Sequence, residues 1–320
     1  MRNTRHILLG ALCALTLAHT ASADLLLTAG ADKKVNAWNP QDGTLLKSVD
    51  AHDSTVNQIA IAPNGKLIAT AGADKKVKLW NPQDGTLLKS VDAHDDAVTA
   101  LWFTEDSQKL LTAGADKKIK IWNLKDGKNV LSVSAHDGPV LGVIWTPQMI
   151  ITGGADGQIR LWDEAGNRSF ELSHDGLSAM TASFATQTLF TADKKGTIRW
   201  WKADGSSGDF SGTHGSPITA MAPTPDGKKL LSGGTNGTVK IWDADAAKVI
   251  AEINDAHKGG VNAITITPDG KTIITAGADK HVKLWSADGK LLKTVENAHN
   301  GPVTALLYIP DRKETPDRNN

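Results

Sequence analysis

Little of this chain is available for redox or thiol chemistry. It has one cysteine in 320 residues, and that residue, Cys13, lies in an apolar stretch near the N-terminus. A chain cut after that stretch would carry no disulfide, no thiol nucleophile and no cysteine-based metal site. Charge of one sign is also missing: 35 basic residues balance 35 acidic ones. That balance argues against a general nucleic-acid or membrane footprint. No later apolar run approaches the roughly 20 residues of a membrane-spanning helix. No helical periodicity is found beyond the N-terminal stretch. Aromatic residues are scarce, with one Tyr and five Phe, but there are ten Trp. So skewed a usage suggests tryptophan placed by a rule.

The N-terminus reads as a signal peptide. Arg2 and Arg5 form its basic start, Ile7 to Ala18 its apolar core, and Ala21-Ser22-Ala23 its small-residue cleavage site. Cleavage after Ala23 would leave Asp24 first and predicts a periplasmic or secreted protein. Leu12 stands before Cys13 where a lipoprotein signal needs a small residue, so lipidation is not expected. Without Arg2 and Arg5 the 35 basic residues fall to 33 against 35 acidic, a formal charge of −2. The expected organisation is a signal peptide over 1–23, one repeat domain over 24–310 and a polar, disordered tail over 311–320.

Repeats organise the rest. Thr28 to Asp53 and Thr70 to Asp95 differ at only two of 26 positions. Tryptophans mark seven units: Trp38, Trp80, Trp122, Trp162, Trp201, Trp242 and Trp285, spaced by 42, 42, 40, 39, 41 and 43 residues. Seven histidines keep the same beat: His52, His94, His136, His174, His214, His257 and His299. Each unit holds four short apolar segments between turn residues. In the second unit these are Val56 to Ala62, Leu67 to Ala71, Val77 to Trp80 and Leu87 to Val91. Strands of about five residues bounded by Gly, Pro, Asn and Asp are an all-β signature. Four of them per 40–45-residue repeat match a propeller blade. The predicted fold is a seven-bladed β-propeller of four-stranded antiparallel blades.

Within each unit the order is His, Ser or Thr, Asp, Trp. The sets are His52, Thr70, Asp74, Trp80; His94, Thr112, Asp116, Trp122; His136, Thr152, Asp156, Trp162; and His257, Thr275, Asp279, Trp285. On these residues the chain resembles the WD-repeat family over about residues 24 to 310, as a bacterial secreted member. The resemblance implies a buried hydrogen-bonded relay through each set, since a buried indole, hydroxyl, imidazole and carboxylate all need partners. The residue after Trp is Asp only at Asp163 and Asp243.

The first unit lacks a histidine and a first strand, and both occur at the other end. His299 and Val303 to Ile309 are expected to join strands near 25–29, 35–38 and 45–49, completing a set with Thr28, Asp32 and Trp38. Such closure removes an unpaired sheet edge.

The histidines are spread one per blade and do not converge, so neither a metal centre nor a catalytic cluster is expected. Asp-Gly turns make poor calcium sites, because one or two Asp in such a turn usually build the turn itself. No cofactor is expected.

The candidate partner-binding residues are Lys33, Lys75, Lys117, Lys195 and Lys280, with Asp53, Asp95 and Asp137. Lys33, Lys75, Lys117 and Lys280 follow the set aspartate, in a turn that the resemblance puts on the same face as the histidine loops. The other face would carry Asp42, Asp84, Asp126, Asp204, Asp226, Asp269 and Asp288. The fifth unit departs from the pattern: Lys195 stands in the aspartate position, Asp193 is two residues away, and Trp201 rather than Trp200 is read as the marker. Its fourth strand, near Asp209 to Gly212, should be weak. The sixth unit uses Ser232 and Asn236.

The resemblance implies a non-catalytic scaffold, expected to be monomeric, that docks a protein or peptide. The alternative is a periplasmic propeller enzyme of quinoprotein or lactonase type. The Asp-Gly-Thr-Leu-Leu turn faintly resembles quinoprotein repeats, but the second Trp of those repeats is missing.

Overall fold

The computed structural model describes residues 24–311; the expected signal peptide and residues 312–320 lie outside them. Every regular element among the described residues is a strand, and the strands form seven four-stranded antiparallel sheets. Blade 1 is Val303–Ile309, Leu25–Gly30, Lys34–Trp38 and Leu45–Asp50, in that spatial order. Blade 2 is Val56–Ile61, Ile68–Gly72, Lys76–Trp80 and Leu87–Asp92. Blades 3 to 7 follow at residues 98–134, 140–173, 177–209, 218–253 and 261–295. The first strand of each blade packs on the first strands of its neighbours, so these seven strands line the centre. The second strands are buried, as in IATAG of blade 2, apart from a half-buried first residue in blades 1, 3, 6 and 7, and the outer strands are mostly half-buried or exposed.

The ring closes between the chain ends, as the sequence predicts. Val303–Ile309 pairs antiparallel with Leu25–Gly30, from Leu25 opposite Ile309 to Gly30 opposite Val303. Thr304 falls at a bulge in that register. The same bulge recurs one residue into the first strand of the other blades, at Asn57, Thr99, Leu141, Ser178, Thr219 and Asn262. A bulge re-aims the side chain it carries. Here it turns the side chain toward the next blade. Asn57 donates to the carbonyl of Val98 at 2.8 Å, Thr99 to Val140 at 2.6 Å and Asn262 to Val303 at 2.9 Å. Thr219 donates to Val261 and Thr304 to Val56 in the same way. Five junctions are therefore latched.

The other two junctions flank blade 5. Leu141 has no polar group to donate, and Ser178 bonds back to Ala192 of its own blade at 3.2 Å. Blade 4 meets blade 5 through an apolar cluster that includes Ile144, Ile159, Leu177 and Leu189. Blade 5 reaches blade 6 by another route. Its outer strand is only Ser207–Asp209, so the weak strand lies slightly earlier than expected and ends at Asp209. Gly208 lies against the Trp200 indole, where a Cβ would come within 2.8 Å of the ring. After Asp209 the chain crosses over. Phe210 is buried between Phe190 and Trp242, with ring centroids 6.0 and 5.6 Å away. Ser211 then bridges to Lys248 on the outer strand of blade 6.

Candidate functional site

The relay forms in five blades with nearly constant geometry. In blade 2 the Trp80 indole donates to Thr70 Oγ1 at 2.9 Å. Thr70 Oγ1 lies 2.8 Å from His52 Nε2, and His52 Nδ1 lies 2.9 Å from Asp74 Oδ1. The same chain joins Trp122, Thr112, His94 and Asp116, then Trp162, Thr152, His136 and Asp156. It joins Trp285, Thr275, His257 and Asp279, and across the closure Trp38, Thr28, His299 and Asp32. In these five relays the indole, hydroxyl, imidazole and carboxylate each have a partner, which is what burial demands. Each aspartate also caps backbone: Asp74 accepts from the Asp53 N–H at 3.0 Å and the Lys76 N–H at 3.2 Å.

Burial holds His52, His94, His136 and His257 below the usual histidine value, against the opposing pull of their aspartates. For Asp74, Asp116, Asp156 and Asp279 burial pushes upward. The histidine and backbone N–H donors outweigh it, so all four titrate below the usual carboxylate value. The relays are thus neutral-imidazole hydrogen bonds to carboxylates, spent on holding each blade.

A glycine not singled out from the sequence completes the motif. Gly72 is buried and is absent from the positive-φ residues. A Cβ there would run into both His52 Nδ1 and Asp74 Oδ1, closer than 3.0 Å. The need is for space, not for backbone freedom. Gly30, Gly114, Gly154 and Gly277 stand in the same place. The only sequence signal is a Gly two residues before each Asp.

Blade 5 rearranges the motif. Trp201, not Trp200, donates to Thr191, at 2.9 Å. Asp193 takes the glycine position and Lys195 the aspartate position. The His174 ring is turned so that Nδ1 meets Thr191 at 2.8 Å, while Nε2 lies 3.8 Å from Asp193. Asp193 accepts from the N–H groups of Lys195 and Thr197 at 2.9 and 2.7 Å, so it still caps the turn. In blade 6 the indole of Trp242 reaches Ser232 at 2.8 Å, but the relay stops there.

The proposed partner-facing residues share one end of the ring. Lys33, Lys75, Lys117, Lys195 and Lys280 are exposed, as are Asp53, Asp95 and Asp137. Contacts tie the two loop sets together: Lys75 Nζ donates to the Asp95 carbonyl at 2.8 Å, and Lys118 pairs with Asp95 at 2.8 Å. Lys33, Lys75, Lys117 and Lys280 have φ of 72°, 71°, 70° and 71°. Blades 4, 5 and 6 use Gly157, Gly196 and Gly237 at that place, at 77°, 85° and 80°. Lys195 lies one residue earlier and is not their equivalent.

At the opposite end the aspartates build turns: Asp42 Oδ1 accepts from the Thr44 N–H at 2.8 Å and from its hydroxyl at 2.7 Å. A cavity of about 260 Å³ opens there between blades 6 and 7, walled by Leu231, Ile241, Ile266 and Ile273 and floored by Ala287.

Fold and relays together define a WD-repeat β-propeller. The family model described as IFT122 first beta-propeller matches residues 13–253, and one described as WD domain, G-beta repeat matches residues 248–286. The chain belongs to the IFT122 first beta-propeller family. It is 31% identical over 67 residues, 21% of its length, to human "WD repeat-containing protein 97". It is 35% identical over 85 residues, 26% of its length, to "Nuclear distribution protein PAC1-2" of Uncinocarpus reesii (strain UAMH 1704). These matches span only 4% and 18% of the two relatives. A solved structure titled "Structure of U3-55K" superposes with a TM-score of 0.69 at 19% identity, covering 76% of this chain and 82% of that one; it shares the fold.

Proposed function

We propose that this propeller is a non-catalytic scaffold that docks a protein or peptide partner on the face bearing the histidine loops and the lysine turns. We also propose that its N-terminal stretch exports it to the periplasm or outside the cell, as a bacterial member of the family. WD-repeat propellers commonly serve as protein-interaction scaffolds, which supports the first part. The basic start, apolar core and Ala21-Ser22-Ala23 site support the second.

One observation carries the docking face. Four exposed lysines keep a left-handed backbone that three other blades assign to glycine. A non-glycine residue there costs about 1–2 kcal/mol. Strain retained at four equivalent exposed positions is a sign of use. The relay histidines His52, His94, His136, His257 and His299 contribute rigidity, each bonded to the aspartate of its own blade.

The test is capture of partners by the exported protein, in parallel with a variant in which Lys33, Lys75, Lys117 and Lys280 are changed to Gln. A partner held by the first and lost by the second supports the reading. Equal capture by both moves the docking surface elsewhere.

A further inference from the structure

In six blades the relay histidine lies beside a carboxylate of its own blade, although at 3.8 Å in blade 5. Blade 6 has none. The position of Asp74 is taken by Asn236, which is exposed and accepts only from the Thr238 N–H, at 3.1 Å. His214 is nevertheless 2% exposed. Its Nε2 lies 3.4 Å from the Ser232 carbonyl, and its Nδ1 has no partner. Among the described residues it is one of two buried side-chain atoms left so, and a buried polar atom without a partner is costly. We propose that blade 6 is a binding site for a carboxylate, the group its own relay lacks, and that an acidic side chain of the docked partner fills it. This rests on the docking reading above and specifies its chemistry.

The loop next to His214 is uncovered: Gly215 is exposed, and a Cβ there would meet nothing within 4 Å. The group standing beside His214, where Asp74 stands beside His52, is the hydroxyl of Ser216. Ser216 is half-buried, and its hydroxyl is held by one long bond, accepting from the Asn236 N–H at 3.4 Å; an entering carboxylate would take its place. Four other blades have glycine there: Gly138, Gly176, Gly259 and Gly301.

Charge points the same way. The residue after the histidine is Asp in blades 2 to 5, but Gly215 in blade 6 and Lys258 in blade 7. The acidic lip therefore breaks at this blade. Exposed Lys194 and Lys195 lie on one side, where Thr213 contacts the Lys195 carbonyl at 3.4 Å, and Lys258 lies on the other. The nearby Glu252 is paired with Lys240 at 2.9 Å, while Asp255 stays exposed as a counter-charge at the rim. A carboxylate entering here would select the Nδ1–H tautomer of His214. Nε2 would then be free to accept from the Ser232 hydroxyl, as His52 Nε2 accepts from Thr70. The sixth relay would be completed by its partner.

The experiment uses the full chain with ¹⁵N-labelled histidine at neutral pH and fixed ionic strength. Acetate is titrated against chloride, and the assigned His214 ring resonances are followed. The expected result is a saturable shift of His214 in acetate only. Asn236→Asp supplies the carboxylate internally and should abolish the response. Ser216→Gly empties the position and should bring the response to several-fold lower acetate. His214 resonances that are the same in acetate and chloride, in both the parent and Ser216→Gly, overturn the proposal. A blocked Gly-Glu-Gly peptide separates the sources: a response at lower concentration than acetate supports an acidic side chain, and a response to acetate with none to peptide overturns that assignment. No partner is needed, so failure here leaves the docking reading standing. Loss of docking on lysine neutralisation would equally leave the acetate response intact.

Discussion

His299 Nδ1 lies 2.8 Å from Asp32 Oδ1, across 267 positions of sequence. With it, Asn300 N–H donates to the other oxygen of Asp32 at 2.8 Å. The first blade thus depends on both chain ends, and its relay is complete only when the ring is closed. Removing residues from 299 onward deletes the innermost strand of blade 1 and exposes the edge of Leu25–Gly30. It also removes the Thr304 latch to blade 2 and the carbonyl of Val303 that Asn262 bonds. The truncated chain should lose its single cooperative unfolding transition, or aggregate through the open edge. Calorimetry decides the matter: a melt matching that of the full chain would show that the ring does not need this strand.

Acid should weaken the fold in two stages. Six relay histidines, His52, His94, His136, His174, His214 and His257, titrate below the ordinary value of 6.5, chiefly because burial disfavours their charged form. The unfolded chain therefore binds protons that the folded chain refuses. Their contribution is fully present above about pH 6.5 and is lost as pH falls toward the folded values. The relay aspartates, held below 3.8, add a second loss at lower pH. Urea midpoints should stay level from about pH 8 to 7 and fall steadily below about 6.5. A midpoint that rises on acidification to about pH 5.5 would mean that the histidines gain protons on folding.

Gly72 should not tolerate even one methyl. Its backbone suits alanine, so helix or turn preference is no obstacle. The obstacle is that His52 and Asp74 close over its α-carbon. Overpacking of this kind costs about 1–3 kcal/mol. Gly72→Ala should lower stability by that amount, and Asp74→Ala in the same background should cost less than it does alone, because the clash and the relay share atoms. Additive losses in that pair would separate the glycine from the relay.

Repetition is why so much was legible in the sequence. Seven near-copies expose the Trp spacing, the four strands and the relay order, and blade 1's missing histidine is visible as an excess at the other end. What stayed hidden depends on geometry between copies. Asn57, Thr99 and Thr304 look like ordinary polar strand residues until a bulge aims them at the next blade. Asp193 and Lys195 read as a lost aspartate, whereas the structure moves the acid to the glycine position and turns the His174 ring. Phe210 reads as part of a weak strand, and instead leaves its blade to pack on Trp242. For the latch residues and Phe210 the residue type was visible and the partner lay in another unit; for Asp193 the partners lie in its own blade, and the turn of the His174 ring was what stayed hidden.

The cavity between blades 6 and 7 has an identifiable cause. Ala287 stands two residues after Trp285, as Leu124 stands after Trp122, and Leu124 packs on the core shared by blades 2 and 3. Ala287→Leu would refill the space against Leu231 and Ile266. Burying the added carbons is worth about 1–2 kcal/mol where no strain follows. The thermal midpoint should rise, and partner capture should stay unchanged because the cavity opens at the far end from the lysines. A fall in stability would show that the walls have already collapsed around alanine.

The four left-handed lysines separate stability from function most directly. Lys33→Gly, Lys75→Gly, Lys117→Gly and Lys280→Gly each remove about 1–2 kcal/mol of backbone strain. Glycine returns part of that, about 0.5–1 kcal/mol, by loosening the unfolded chain. The net gain should be about 0.5–1 kcal/mol per site. It should be smallest at Lys75, which also gives up its bond to the Asp95 carbonyl. A quadruple variant should therefore melt higher than the parent and hold its partner less well. If the lysines are only inherited from duplication of one unit, the variant will be more stable with undiminished capture, and the docking face must be sought elsewhere on the ring.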